Sequence, residues 1–90
     1  MTEQYEVRLS HGASGTLAEQ LPLSVAAAIW EFISGPLAQN PRRLGKSWVG
    51  ALAGHHSARR GSYRVVYTIS DDPPVVTIVR VDHRRAVHHR

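Results

Sequence analysis

Ninety residues, 10.0 kDa and 42% hydrophobic content suffice for one compact domain and are too few for two; a charged fraction of 20% excludes a chain too polar to bury a core. Cysteine is absent, which removes disulfide scaffolds, thiolate metal sites and cysteine nucleophiles together. The net charge of +4 conceals a split, because residues 1–41 hold one base and four acids (net −3) and residues 42–90 hold ten bases and three acids (net +7).

Taken in chain order, Tyr5 to Ser10 alternates apolar and polar residues with period two, so Tyr5, Val7 and Leu9 share one buried face of a short strand. The glycines of His11-Gly12-Ala13-Ser14-Gly15 suggest a turn, and Thr16 to Gln20 a helix of at most two turns before Pro22. Between Leu23 and Ser34, Val25, Ile29, Phe32 and Ile33 recur at helical spacing, which predicts the strongest helix of the chain, with Trp30 in the core. Gly35-Pro36 should end or kink it, leaving Leu37 to Gln39 as a last turn. Arg42 to Gly54 has three glycines and no sustained period, so it reads as a loop with a short extended piece.

Three strands follow. His56 to Arg60 is one, Gly61-Ser62 is a turn, and Tyr63 to Ser70 is dense in β-branched and aromatic residues. Asp71-Asp72-Pro73-Pro74 interrupts the ladder before a third strand from Val75 to Asp82. Strict alternation puts Val65, Tyr67 and Ile69 opposite Val66, and Val75, Val79 and Val81 opposite Val76 and Ile78. The expectation is a single α+β domain over residues 1–90, with two N-terminal helices packed on one face of a mainly antiparallel, twisted β-sheet. The longest apolar stretch, Leu21 to Ile33, carries Ser24 and Glu31 and cannot span a bilayer, so no membrane is expected. Met1-Thr2-Glu3-Gln4-Tyr5 has neither the basic nor the apolar region of a secretion signal, which points to the cytoplasm.

Ten of the eleven cations are arginine, whose planar fork suits phosphate, so the basic half is suited to a polyanion. They concentrate in residues 55–64 and 80–90, two segments that neighbouring strands would bring together. Arg64 sits among apolar residues of a central strand, where it either lines a cleft or pairs with Asp82 or a helix glutamate. Arg42, Arg43 and Lys46 are either a solvated loop or contacts to an RNA backbone. Trp48 is placed to touch RNA or a partner and equally to pack. Neither His55-His56 nor His88-His89 makes a metal site, since adjacent strand residues point to opposite faces and no acid stands at ligand spacing; no metal and no cofactor are expected.

The string Gly61-Ser62-Tyr63-Arg64-Val65-Val66-Tyr67, preceded by Arg59-Arg60 and followed by Val76 to Arg85, resembles the RelE toxins of bacterial toxin-antitoxin systems. Leu21-Pro22, the stretch from Phe32 to Leu37 and that from Asn40 to Lys46 share the resemblance, which covers nearly the whole chain and favours RelE over ParE. It implies a RelE-like, microbial-RNase-like fold and a ribosome-dependent endoribonuclease that cleaves messenger RNA in the A site. It also implies a cognate RelB-like antitoxin in a hetero-oligomer. In the implied reaction a ribose 2′-hydroxyl attacks the adjacent phosphorus, leaving a 2′,3′-cyclic phosphate and a free 5′-hydroxyl. Such a reaction needs a base, cations for the pentacoordinate phosphate and an acid for the leaving oxygen.

Carried over by motif, Arg64 is the phosphate-stabilising arginine, Arg59 the basic residue of the preceding strand, and Arg84, with His83 beside it, the basic residue after the last long strand. Arg60, Arg85, Lys46, Arg42 and Arg43 are the expected RNA contacts. His88 stands where many relatives have a tyrosine and would serve as base or stacking ring. Ser57 stands where the best-known members have a lysine. Both departures are compatible with two other readings. One is a ParE-like inhibitor of DNA gyrase, which does not need the acid-base groups. The other is a weakened toxin that acts with its antitoxin as a repressor. The sharpest expectation is geometric: Arg59, Arg64, Arg84 and His83 or His88 converge on one phosphate.

Overall fold

The protein is seen here in a computed structural model that describes residues 4–47 and 54–83. Five strands form one sheet in the order β1-β5-β4-β3-β2: β1 is Glu6–Leu9, β2 Lys46–Ser47, β3 His55–Arg60, β4 Tyr63–Asp71 and β5 Pro74–His83. β2 to β5 pair antiparallel, and β1 joins the edge of β5 in parallel, with Val7 opposite Val76 and Leu9 opposite Ile78. The expected α+β layout with a mainly antiparallel sheet is therefore present. Among the described residues no helix is long and apolar enough to cross a membrane.

The helices depart from expectation at both of their glycine signals. α1 begins at His11 rather than after Gly15 and runs His11–Gly15, continuing through Thr16–Gln20 in wider, i→i+5 turns. Its start is fixed by Ser10, whose hydroxyl accepts from the Ala13 amide at 3.0 Å and donates to the Val79 carbonyl at 2.7 Å. One serine thus caps the helix and ties it to β5. α2 spans Leu23–Phe32 and does not stop at Gly35-Pro36: it widens over Ile33–Leu37, and the wider turn accommodates the proline ring and its missing N–H. The expected loop after residue 41 opens instead with a short helix, α3 (Pro41–Leu44), which has proline in its first turn and leads directly into β2.

Both long helices cover one face of the sheet. Ile29, Ile33 and Leu37, one helical stripe of α2, pack with Ala13 against Ala58, Val65, Tyr67, Val76, Ile78 and Val81, all at most 4% exposed. Trp30, read as core, falls outside that stripe and is 44% exposed; Leu23, on the same outward side, is 87% exposed.

The alternation expected for β5 fails at one point. Val66 faces Arg80, but the next residue, Tyr67, faces Ile78, so Val79 is an extra residue bulged out of the ladder. Beyond the bulge the faces exchange. Val81 joins Val76 and Ile78 in the core, rather than opposing them, while Arg80 and Asp82 turn to the face without helices.

Candidate nucleic-acid interface

On the helix-free face the register lines up side chains in rows across the strands. One row is Arg59 of β3, Arg64 of β4 and Asp82 of β5. The next, two residues further along, is Lys46 of β2, Ser57 of β3, Val66 of β4 and Arg80 of β5. A third is His55, Thr68, Thr77 and Arg8. Small residues, Ser57 and Val66, therefore form a floor rimmed by four cations.

Arg59 and Arg64 are directly opposed, an arrangement that is unfavourable between like charges and is relieved by an anion above them. Arg64 is half-buried and Arg59 exposed. Asp82 lies opposite Arg64, the place for the ion pair considered above, yet the carboxylate is held by Arg80 instead, with Nε at 2.8 Å and Nη2 at 2.5 Å. Among the described residues Arg64 has no ion pair. The hairpin that joins the two arginines turns at Gly61, whose φ of +63° is a left-handed conformation suited to glycine.

Three residues assigned to the interface lie elsewhere. His83 faces Tyr63 across the ladder, on the helix-covered side, and the two rings meet edge to face with centroids 5.1 Å apart. Strand alternation separates it from the neighbouring Asp82 and Arg64, so it does not converge with them. Arg60 also lies on the helix side, its guanidinium 6.0 Å from the centre of the Phe32 ring. With Tyr63 it borders an apolar groove of about 320 Å³ against Val25, Ala28 and Ile29 of α2. Arg42 is engaged by Asp71 in a two-pronged pair, 2.9 Å and 2.8 Å, and the Tyr5 hydroxyl donates to the same carboxylate at 2.7 Å. These bonds from Arg42 and Tyr5 hold the Asp71 carboxyl below its usual range. Arg43 is exposed on α3. Arg84, Arg85, His88 and Trp48 lie outside the described residues.

The segment that delivers Lys46 is pinned from below. The buried Tyr67 hydroxyl donates to the Pro41 carbonyl at 2.6 Å, and burial pushes its pKa up to about 12. Gly45 then passes so close that a Cβ there would overlap the Tyr67 hydroxyl and lie 2.8 Å from the Ser57 carbonyl. His56 stacks on Tyr67 with centroids 5.6 Å apart, and burial, then the nearby Arg42 and His55 charges, push its pKa down. No group of three or more His, Asp or Glu able to hold a metal occurs among the described residues.

The sequence singled out Arg59 and Arg64 for one phosphate and Lys46 for RNA contact, and the strand register puts all three on this face. It did not single out Arg80 and Asp82 as site residues. An arginine inside the apolar run from Val75 to Val81 was the available signal, since strict alternation would have buried it with Val76 and Ile78.

Comparison with known proteins gives a consistent picture. The family model described as ParE toxin of type II toxin-antitoxin system, parDE, matches residues 11–87. The chain is 48% identical over 82 residues to Toxin RelE of Mycobacterium tuberculosis, covering 91% of this chain and 84% of that one. It is 44% identical over 86 residues to Toxin RelG of the same organism, covering 96% and 98%. Among solved structures, the toxin-antitoxin complex RelBE2 from M. tuberculosis contains a chain that superposes with a TM-score of 0.86 at 45% identity, covering 91% of this chain and all of that one.

Proposed function

The chain belongs to the RelE/ParE superfamily of type II toxin-antitoxin toxins, and from that premise we propose that it is the toxin of such a pair, a ribosome-dependent endoribonuclease acting on messenger RNA in the cytoplasm. The observation that carries the reading is the opposed Arg59–Arg64 pair on the helix-free face, with Lys46 and Arg80 on its flanks. In-line attack of a 2′-hydroxyl on phosphorus gathers negative charge on the non-bridging oxygens. Two guanidinium groups on facing positions of adjacent strands are placed to stabilise that charge. Arg84 and His88, at the end of the chain beyond β5, complete the proposed set, Arg84 as a further phosphate contact and His88 as a proton-transfer group. Arg43 and Arg85 bind the RNA backbone.

The proposed partner is a cognate RelB-like antitoxin, whose acidic residues would lie over the same cations. Likeness to the toxin chain of RelBE2 supports a complex of this type. The test is direct: purified protein is incubated with programmed ribosomes and cuts are mapped by primer extension. Cleavage confined to the A-site codon is expected, and its absence at every codon defeats the nuclease reading.

The match to a ParE toxin model favours one second reading, a gyrase inhibitor on the same fold. Inhibition of supercoiling by the purified protein, together with growth arrest that survives the R64A/R84A double substitution, would establish it in place of the first.

A further inference from the structure

The order of residues 41–47 rests on side chains of other elements. α3 has four residues and β2 two, both below the length at which a helix or a strand pair is stable alone. The backbone bonds that close α3, from the Arg43 and Leu44 amides to the Asn40 carbonyl, are both 3.2 Å, at the long end of the range. β2 adds only the pairing of Lys46 with Ser57 and of Ser47 with His56. Two anchors do the rest: the Tyr67 hydroxyl on the Pro41 carbonyl at 2.6 Å, and Arg42 in the grip of Asp71 and Tyr5. Each anchor meets a group that changes charge in acid. His56 stacks on Tyr67, and its Nδ1 is buried with no hydrogen-bond partner among the described residues. A neutral imidazole tolerates a bare nitrogen there, whereas the imidazolium would carry an N–H with no acceptor. The surrounding charges oppose a positive ring as well: Arg42 from α3 and His55 from β3 repel it, burial keeps Tyr67 of β4 neutral, and Lys46 stands beside its ladder partner Ser47 in β2. Residues 48–53, which follow β2, contain no titratable side chain. At the other anchor the Asp71 carboxylate accepts both prongs of Arg42 and the Tyr5 hydroxyl, bonds that weaken once the carboxyl is neutral.

We propose that residues 41–47 form an acid-released latch: protonation of His56, and at lower pH of Asp71, detaches α3 and β2 from the sheet while β3, β4 and β5 stay paired. Acid acts on Arg42 twice, since a charged His56 repels it and a neutral Asp71 no longer holds it. The order of the steps follows from linkage. His56 binds its proton less readily in the closed latch than in the open one, so the closed form loses ground as the pH falls below the ordinary 6.5. The bonds from Arg42, then Tyr5, hold the Asp71 carboxyl below its ordinary 3.8, so its contribution is complete above that value and is lost as the pH falls toward the lowered one. Detachment carries Lys46 away from the helix-free face and frees Arg42 from Asp71.

The experiment is hydrogen exchange of the full chain from about pH 7.5 to about pH 5, read amide by amide by NMR and corrected for the intrinsic pH dependence of exchange, beside a titration of the His56 ring protons. Protection at Arg43, Leu44 and the β2 amides is expected to fall several-fold with the midpoint of the His56 titration, while Val65, Val76 and Ile78 keep theirs. H56F, which keeps a ring on Tyr67 and cannot charge, should hold the segment closed across the whole range. D71N should lower its protection already at the upper limit. The latch is overturned by a midpoint that differs from that of His56, by a parallel loss at Val65, Val76 and Ile78, by a step that survives in H56F, or by D71N amides as protected as those of the unsubstituted chain. The midpoint and the core amides are read on the unsubstituted chain, so they decide the matter even where a variant does not fold.

Discussion

On the helix-covered face, the cross-strand neighbours of Val65 are Ala58 and Val81 and those of Tyr67 are His56 and Ile78, all apolar side chains or rings. One residue away on the other face, Arg64 lies between Arg59 and Asp82, and Val66 between Ser57 and Arg80. The same strand thus carries two chemistries in alternation. Burial of apolar surface on one side stabilises the fold. On the other, the opposed arginines work against stability and are suited to an anion. Substitutions on the two faces should therefore move different measurements.

The largest separation is expected from I78A. Its side chain is fully buried in the core, and truncation should lower unfolding free energy by about 2–5 kcal/mol in urea denaturation. R64A should do the reverse, lowering cleavage on programmed ribosomes by about 10²- to 10³-fold, the scale of one lost charge-stabilising donor, with the melting temperature unchanged. A melting temperature that falls as far as that of I78A would show that the faces are not separable. Next is Y67F, which strands the Pro41 carbonyl and should destabilise by about 1–3 kcal/mol in the same denaturation assay. Smaller still, R59T removes one of two facing cations and should raise stability by about 0.2–1 kcal/mol while cleavage declines; a drop in stability would mean that Arg59 holds the sheet together.

The smallest effect concerns pH. His56 has a lowered pKa in the folded chain, so between that value and the ordinary 6.5 the unfolded chain binds more protons. Stability should therefore rise with pH through this window and fall as the pH drops below 6.5. H56F, which keeps a ring on Tyr67, should flatten that part of a melting-temperature profile, and an unaltered slope would exclude His56 as its source.

How much of this could be read from residues alone depends on whether the signal was local. β4 and the core face of β1 follow from β-branched density and period two, and Arg59 and Arg64 follow from their flanking motif. The start of α1 was obscured because Gly12 and Gly15 suggest a turn, whereas the deciding contact is the hydroxyl of Ser10 reaching both Ala13 and Val79, a residue 69 positions away. α2 passes Pro36 because packing of Ile33 and Leu37 outweighs the proline, a tertiary effect with no sequence mark. Arg42 looked free for RNA because its partner Asp71 lies 29 residues on. His83 and Arg60 stand on the helix-covered face for a simpler reason: a strand sends sequence neighbours to opposite faces.

The extra residue at Val79 imposes a constraint of length on β5. Every position after it is out of phase with every position before it, so the chemistry of the helix-free face depends on a count of residues as much as on their kinds. Deleting Val79 would take out the extra residue and leave Arg80, Val81 and Asp82 on the faces they now occupy, whereas deleting Val81 would turn Arg80 or Asp82 toward the core. Single substitutions along this part of the ladder can be absorbed one at a time, whereas losing one paired residue beyond the bulge would exchange the two faces at a stroke. Within this strand the number of paired residues is the less negotiable part of the sequence.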